Sequence, residues 1–433
     1  MEKRSKEFGK VKVAAAVLLL VVSAFGVFGQ ATAVSIQPWL TDAQRPQFDE
    51  LRRSGTEALY NLDYDKALKD FKEIARLYPN HPAGPQLLAA RLWMKTLYET
   101  RRLQSSLYSS ESFYATGDDK VDSTLVNEFR SLTREAKRRA DARVKADPKD
   151  VEARYWSGAV AGLKASFEEA VERRHFAALR DGNDAVDHHR EVMKLDPGYV
   201  DAGVTIGLYE YVVGSLPLPI KVVAGIGGFR GSKKKGLQLL ERVTREGHWA
   251  SNDSKTLLIV LYTREKRYAD ALAFARELSV KYPRNYLFRL ETASALVSQA
   301  EVERKAKNVE AAAKAEREAF ATFDELLRDR ALKDTISRVL DLVHFKYGEV
   351  LMAAGEGERA AKEFVATTRV EHAEPSLVTM AHLNAARAYD LAGKRDQAVS
   401  QYGEVLKRPD IYSAHDAAKK GLRQPYKNEI AGM

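Results

Sequence analysis

One spacing recurs along this chain of 433 residues. A small residue is followed twelve positions later by a second small residue, and an aromatic residue comes four positions after that, as in Gly55, Ala67 and Phe71. Two helices approach each other closely only where their side chains are small, and a period near ~34 residues with small residues at fixed offsets predicts stacked helical hairpins. We therefore expect an all-α fold, a right-handed solenoid of stacked helical hairpins.

The same frame fits further segments, with longer spacings in the middle of the chain. Gly158 and Ala185 are 27 residues apart, and Gly207 and Gly236 are 29 residues apart. A proline follows several of the second helices, where it cannot continue the helix. Besides the first copy, the residues that we assign to helix packing or helix ends are Pro79, Gly158, Ala185, Pro197, Gly207, Ala271, Pro283, Gly348, Ala360, Phe364, Ala398 and Tyr402.

This pattern resembles the tetratricopeptide repeat family. The resemblance implies helical hairpins whose concave groove binds a protein or peptide, and it implies no particular partner. A second, local resemblance is to the repeat-domain-39 and inclusion-body-clearance group of such proteins. It rests on Gly207-Leu208-Tyr209, Ser215-Leu216-Pro217, Gly228-Phe229-Arg230-Gly231 and Gly236-Leu237-Gln238-Leu239-Leu240. That resemblance implies an adaptor associated with lipid handling, without a defined catalytic site.

The first 33 residues have the pattern of an export signal. A basic start precedes a nearly pure apolar run from Val13 to Phe28, and Ala31-Thr32-Ala33 supplies small residues at the two positions that a signal peptidase reads. The apolar run has 16 residues, which is short for a membrane span of ~20. We expect cleavage after Ala33 and a periplasmic or extracellular protein; an uncleaved membrane anchor is the alternative.

The composition excludes several kinds of chemistry and argues against one kind of partner. The chain has no cysteine, which excludes disulfides, thiolate metal sites and cysteine catalysis. The net charge is +9 for the whole chain and about +6 without the first 33 residues, which is mild, and we expect no nucleic-acid partner. Basic runs such as Lys137-Arg138-Arg139 alternate with acidic residues, which is typical of solvated helix faces with pairs inside the helix.

The pattern divides the chain into five segments. We assign residues 1–33 to the signal peptide, 34–45 to an extended lead-in, 46–285 to N-terminal repeats, 286–422 to C-terminal repeats with a capping helix, and 423–433 to a polar tail. Within the hairpin at 151–197, Asp181-Gly182-Asn183 predicts the turn between the two helices.

An apolar insertion at residues 212–235 interrupts the N-terminal repeats. Apolar residues come first (Leu216, Ile220, Ile226 and Phe229), and basic residues follow (Arg230, Lys233, Lys234 and Lys235). One interpretation is a buried turn that plugs the solenoid groove. The other is a loop that contacts a ligand or dips into lipid while its basic residues meet phosphates.

Histidines and glutamates cluster in the hairpin at 151–197. His175, His188 and His189 lie near Glu168, Glu169, Glu172 and Glu191, and imidazole with carboxylate could bind a divalent metal. No spacing matches a known metal site, and His189 occupies the position where the repeat frame places an aromatic residue. We therefore expect these histidines to pack in the core or lie at the surface, and we predict no metal and no cofactor.

These patterns favour a binding protein over an enzyme. The chain has no Gly-rich phosphate loop after a strand and no nucleophile elbow, so we expect no enzymatic activity. The function that we predict is an exported repeat scaffold holding a protein or peptide in its concave groove. The alternatives are a peripheral membrane or lipid-binding protein using residues 212–235, and a metal-dependent enzyme around residues 175–191.

Overall fold

The computed structural model describes residues 38–100, 103, 122–216, 231–337 and 339–427. These residues form helices and the turns between them, with no strand among them. The expected all-α fold of stacked helical hairpins is confirmed. The chain forms two compact units: among the described residues, unit 1 holds 38–100 and 122–258, and unit 2 holds 103, 259–337 and 339–427. The sequence placed a division after residue 285 from repeat pattern alone, and that assignment stays a prediction.

Unit 1 is built from hairpins that follow one another along the chain. Its helices are α1 (Arg45–Tyr60), α2 (Tyr64–Leu77), α3 (Ala83–Glu99), α4 (Ser123–Ala146), α5 (Val151–Phe167), α6 (His175–Leu195), α7 (Gly203–Gly214), α8 (Lys233–Glu246) and the first part of α9 (Ser251–Arg264). A π-helical turn, Glu168–Glu172, extends α5, and a 3-10 turn, Val200–Ala202, precedes α7.

Unit 2 continues the same hairpin pattern from the second part of α9. Its further helices are α10 (Tyr268–Lys281), α11 (Tyr286–Lys305), α12 (Val309–Arg328), α13 (Lys333–Ser337), α14 (Leu340–Ala353), α15 (Gly357–Thr367), α16 (Pro375–Leu391), α17 (Arg395–Leu406) and α18 (Ala414–Arg423), with a 3-10 turn, Arg330–Leu332, before α13.

Short polar side chains and prolines set the helix ends. Asp63 accepts a hydrogen bond from the Lys66 backbone N–H at 3.1 Å and so caps the start of α2. The second helices α2, α6 and α10 each end two residues before Pro79, Pro197 or Pro283, since proline lacks the N–H that the next helical turn would need.

The residues assigned to helix packing lie at close crossings. A Cβ added to Gly55 would overlap the ring of Phe71, and one added to Gly348 would lie 2.8 Å from the ring of Phe364. The small residues of the second helices are fully buried in the same way, with 0% exposure at Ala67, Ala185, Ala271, Ala360 and Ala398. Tyr402 is 1% exposed and packs against Gly421 of α18, the predicted capping helix.

The backbones of α7 and α8 cross closely in their hairpin. A Cβ on Gly236 would lie 2.6 Å from the carbonyl oxygen of Gly207, and a Cβ on Gly207 would lie 3.1 Å from the carbonyl oxygen of Gly236. The two glycines are 29 residues apart in sequence, and the structure nevertheless brings them together. The long spacing therefore reflects residues inserted between the helices rather than a different kind of packing.

The turn expected at Asp181-Gly182-Asn183 is wrong. Helix α6 runs through all three residues, and the connection from α5 to α6 lies instead at the π-helical turn and Arg173, whose φ is +57°. Asp181 is 6% exposed, and one of its carboxylate oxygens lies 2.7 Å from the Lys164 ammonium. Burial and this ion pair outweigh the local turn preference of the three residues.

Candidate functional site

The inner face of unit 1 brings together residues far apart in the chain. The Tyr60 hydroxyl at the end of α1 donates a hydrogen bond to the carboxylate of Asp253 in α9, across 193 residues of sequence. Unit 1 therefore curves until its first helix faces its last. We call the residues at this meeting point the inner-face site: Arg52, Tyr60, Tyr155, Trp156, Tyr199, Asp201, Trp249 and Asp253.

A guanidinium group lies at the centre of the inner-face site. Arg52 lies on α1 eight residues before Tyr60, so both side chains project from nearly the same side of the helix. The Arg52 guanidinium carbon is 4.1 Å from the centre of the Trp249 ring and 5.0 Å from that of the Trp156 ring. Such contacts are cation–π interactions, and they hold the charge in place between two aromatic walls.

Trp249 is positioned by a buried carboxylate. Asp201, in the 3-10 turn before α7, accepts hydrogen bonds from the backbone N–H groups of Trp249 at 3.1 Å and Ala250 at 3.0 Å. These groups lie at the start of α9, where helical N–H groups lack intrahelical partners. Because Asp201 is 7% exposed and satisfied by these bonds, its role is to fix the Trp249 ring, which remains partly exposed.

The electrostatics of the site follow from its enclosure. Asp253 is exposed to solvent, yet it lies in a concavity surrounded by protein, and this environment raises its carboxyl pKa despite the opposing effects of the Tyr60 hydrogen bond and the Arg52 charge. Burial likewise raises the pKa of Tyr155 to about 12. The exposed Asp253 carboxylate can accept hydrogen bonds from a ligand as well as from Tyr60.

A buried histidine, His81, lies at one edge of the inner-face site. His81 is 1% exposed and lies against Trp156 at 5.5 Å between ring centres. Its Nδ1 accepts the Ala83 backbone N–H at 3.0 Å, so Nε2 carries the proton and lies 3.4 Å from the carboxylate of Glu152. Burial lowers the His81 pKa and keeps the ring neutral, which suits a supporting role behind Trp156.

The histidines of the hairpin at 151–197 lie in different environments. His189 is 3% exposed, stacks on Tyr155 at 5.3 Å and lies 3.1 Å from the Tyr155 carbonyl oxygen, to which its Nε2–H donates. His188 points elsewhere, with Nε2 3.5 Å from Asp184. The side chain of His175 lies outside the described residues. Within the described ranges, no three histidine, aspartate or glutamate side chains are grouped so that they could hold a metal ion.

The residues just before and just after the undescribed part of the insertion lie next to each other in unit 1. A Cβ on Gly231 would lie 2.7 Å from the Glu210 carbonyl oxygen and 2.8 Å from the Gly214 nitrogen, so the end of α7 touches the segment that leads into α8. Leu216 is half-buried at the start of this excursion. Of the residues singled out beyond it, Ile220, Ile226, Phe229 and Arg230 lie outside the described residues.

The three lysines of the insertion form the first turn of α8. Lys233 is half-buried, with its ammonium 5.6 Å from the Tyr211 ring, whereas Lys234 and Lys235 are exposed. Three positive charges at a helix N-terminus oppose the helix dipole. Among the residues that the structure describes, Lys234 and Lys235 have no acidic partner. No helix of the described chain is both long enough and apolar enough to cross a membrane.

The hairpins and their crossings define a helical-repeat protein, and comparison with known families agrees. The model of the tetratricopeptide repeat matches residues 54–81 in unit 1 and 380–410 in unit 2. The chain thus contains tetratricopeptide repeats, as the small and aromatic residues predicted. A search of the curated proteins finds no match, so the local resemblance to the repeat-domain-39 group stays a resemblance.

Solved structures with a similar arrangement include human IFIT1. The IFIT1 dimer with m7Gppp-AAAA is 14% identical, with a TM-score of 0.40, and the match covers 89% of this chain and 86% of that one. The IFIT1 dimer with PPP-AAAA is 15% identical, with a TM-score of 0.39 and the same coverage. At these values the likeness concerns helical repeats and says nothing about ligands.

Sequence reasoning missed the inner-face site. Arg52, Trp249 and Asp253 occupy no position of the repeat frame, and nothing local marks them. The one available signal was the pairing of an arginine and a tyrosine eight residues apart on the first helix. That pattern also fits an ordinary solvated helix face.

Proposed function

We propose that this protein is an exported scaffold that binds a protein or peptide partner at the inner face of unit 1. The repeat architecture supports a binding role, because stacked hairpins create an extended concave surface. The observation that carries the proposal is the exposed carboxylate of Asp253 beside the partly exposed ring of Trp249. Export rests on the N-terminal sequence pattern, which lies outside the described residues.

The arrangement suits recognition of a peptide. An aromatic ring supplies a large contact area at little conformational cost, and an exposed carboxylate beside it selects for hydrogen-bond donors on the partner. Arg52 is already engaged by two indole rings and the Tyr155 hydroxyl, so it shapes the wall of the site. The absence of enzymatic activity stays a prediction.

The experiment is affinity capture from the envelope fraction of the exporting cell, followed by binding of the identified partner to variants. Asp253→Arg should lower the affinity by at least ~10-fold, because a long cation would fill the site and repel donors. Asp42→Arg, an equal charge change at an exposed position before α1, is the matched control.

A purely structural role for Asp253 predicts a different result. In that case Asp253→Asn would lower the urea midpoint of unit 1 while every stable variant bound the partner normally. The four tryptophans of the chain all lie in unit 1, at 39, 93, 156 and 249, so tryptophan fluorescence reports its unfolding. Equal loss of binding in Asp253→Arg and Asp42→Arg would refute the inner face as the binding site.

A second candidate function is contact with an anionic membrane surface. The specific observation is the exposed Lys234 and Lys235 at the N-terminus of α8, directly after an apolar insertion whose two ends meet. Placing charges where the helix dipole opposes them costs stability, and lipid phosphates would offset that cost.

A further inference from the structure

A cleft between α4 and α5 of unit 1 has the charge of an anion site. Its volume is about 430 Å³, and it lies away from the residues of the inner-face site. Its lining carries five basic residues, two acidic residues and one threonine: Arg130, Thr133, Arg134, Lys137, Arg138 and Asp141 from α4, Lys164 from α5, and Glu168 from the π-helical turn.

Three arginines form a stripe along α4 into this cleft. Arg130, Arg134 and Arg138 are spaced four residues apart, so their side chains lie on one face of the helix. Like charges at this spacing repel and destabilise an isolated helix. A stripe of this kind opposes helix stability, which favours a role in holding negative charge.

Two of these arginines have no acidic partner among the residues that the structure describes. Arg130 pairs with Glu172 of the π-helical turn, whereas Arg134 and Arg138 are exposed and form no ion pair within the described chain. The sequence had predicted that the run 137–139 would be neutralised inside its helix. That holds for Lys137 with Asp141 and for Arg139 with Glu135, but not for Arg138.

A buried carboxyl group lies across the cleft from the arginines. Glu168 is 6% exposed, and its Oε2 is buried without a hydrogen-bond partner. Its Oε1 is 3.7 Å from the Arg174 guanidinium, a distance too long for a strong bond. Burial raises the Glu168 pKa, and the nearby Asp181 charge raises it further, against the opposing charges of Lys164, Arg174 and Arg180.

The π-helical turn creates this geometry. A π-turn inserts one residue into a helix, and such turns are frequent at functional sites. Here it ends α5 with Glu168 in the cleft and Glu172 against Arg130, while the chain reverses at Arg173 in the left-handed region. Glu168 thus lines the cleft, and Glu172 pairs with Arg130, one of the arginines that line it.

We propose that this cleft binds a phosphate group, with Arg134 and Arg138 as the main cationic contacts and the unpartnered Oε2 of Glu168 as a further hydrogen-bonding contact. Guanidinium groups match the oxygens of phosphate with paired N–H donors. A phosphate offers oxygens in several directions, which suits contacts arriving from both α4 and the π-helical turn. This site is separate from the proposed peptide-binding face, so either can fail without the other.

The test is titration of the full mature chain with inorganic pyrophosphate by calorimetry. Wild type should bind saturably, and the double variant Arg134→Gln with Arg138→Gln should bind at least ~10-fold more weakly, because two charge-assisted contacts are lost. Lys69→Gln with Lys72→Gln removes the same charge from exposed positions of α2 and should bind like wild type.

A substitution at Glu168 separates its role in phosphate binding from its role in packing. Glu168→Gln keeps the shape and supplies a hydrogen-bond donor, and it should retain pyrophosphate binding. Vesicles of phosphatidic acid, tested with the same variants, distinguish a lipid headgroup from a soluble phosphate. The proposal is overturned if wild type shows no saturable binding to either probe, or if the α2 variant weakens binding as much as the α4 variant does.

Discussion

Replacing His189 by phenylalanine should remove an acid-sensitive element from unit 1. His189 packs beside Gly158, where an added Cβ would overlap its ring, and the corresponding positions of other hairpins hold Phe71 beside Gly55 and Phe364 beside Gly348. A phenyl ring therefore fits the kind of space that this crossing provides. The substitution loses one hydrogen bond of about 1 kcal/mol and removes a buried Nδ1 that has no partner, which costs about 1–3 kcal/mol.

The magnitude follows from the pKa of the buried ring. Burial lowers the pKa of His189 from 6.5 to about 4. Because the unfolded chain takes up the proton first, stability is fully present above the unfolded pKa and is lost as pH falls from 6.5 towards 4. Between about pH 7.5 and about pH 5.5, His189 should lower the free energy of unfolding by about 1.3 kcal/mol, and by about 3 kcal/mol at still lower pH.

The assay is urea unfolding followed by tryptophan fluorescence, which reports unit 1 alone. At about pH 7.5 the His189→Phe variant should be as stable as wild type or up to ~2 kcal/mol more stable. At about pH 5.5 the difference in free energy of unfolding between the variant and wild type should grow by the ~1.3 kcal/mol attributed to the His189 ring. His81 and His188 also have lowered pKa values, so only the difference between variant and wild type isolates His189.

A parallel pH dependence of the two proteins would refute this reasoning. It would mean that His189 is already accessible to protons in the folded state. The reasoning would also fail if the His189→Phe variant lost several kcal/mol of unfolding free energy at neutral pH. That result would show that the helix crossing at Gly158 cannot accept a six-membered ring. Glu191→Gln, a change on the partly exposed face of the same helix, is the control for general effects on α6.

Three further substitutions test other parts of the molecule. Gly348→Ala should destabilise unit 2 by about 1 kcal/mol net, since overpacking against Phe364 costs about 1–3 kcal/mol and the better helix propensity of alanine returns up to about 1 kcal/mol. Circular dichroism melts measure this change, and adding Phe364→Leu to the same chain should relieve the overpacking. Ala33→Arg should block signal processing, and N-terminal sequencing that finds Val34 in this variant would count against the signal. Lys234→Glu with Lys235→Glu should reduce sedimentation with anionic liposomes by roughly 10-fold or more, at about 1 kcal/mol per lysine; unchanged sedimentation would eliminate the membrane candidate.

The helices and their crossings were predictable because their causes are local. Ala67, Ala360 and Ala398 are small where two neighbouring helices must meet, and this constraint repeats with the period of the hairpin. Pro79 ends a helix through its own missing N–H, whatever surrounds it. Such residues are enough to predict an architecture of stacked hairpins from the sequence, before the tertiary structure is known.

Some local signals were overruled by packing. Asp181-Gly182-Asn183 has the composition of a turn, but helix α6 continues through it because Asp181 is buried against Lys164. Turn preference is worth less than a buried ion pair within a packed hairpin, and only the folded neighbours reveal that pair. Conversely, the spacing of Gly207 and Gly236 looked too long for the frame, and the crossing formed regardless.

Both candidate binding sites depend on tertiary structure. Tyr60 and Asp253 meet because small rotations between successive hairpins accumulate along unit 1, and no residue encodes that sum by itself. The phosphate cleft likewise needs α4 and the π-helical turn to face each other before Arg134 and Glu168 share a space. Sequence periodicity determined how neighbouring helices pack, whereas the positions of distant side chains were decided by the curvature of the whole unit.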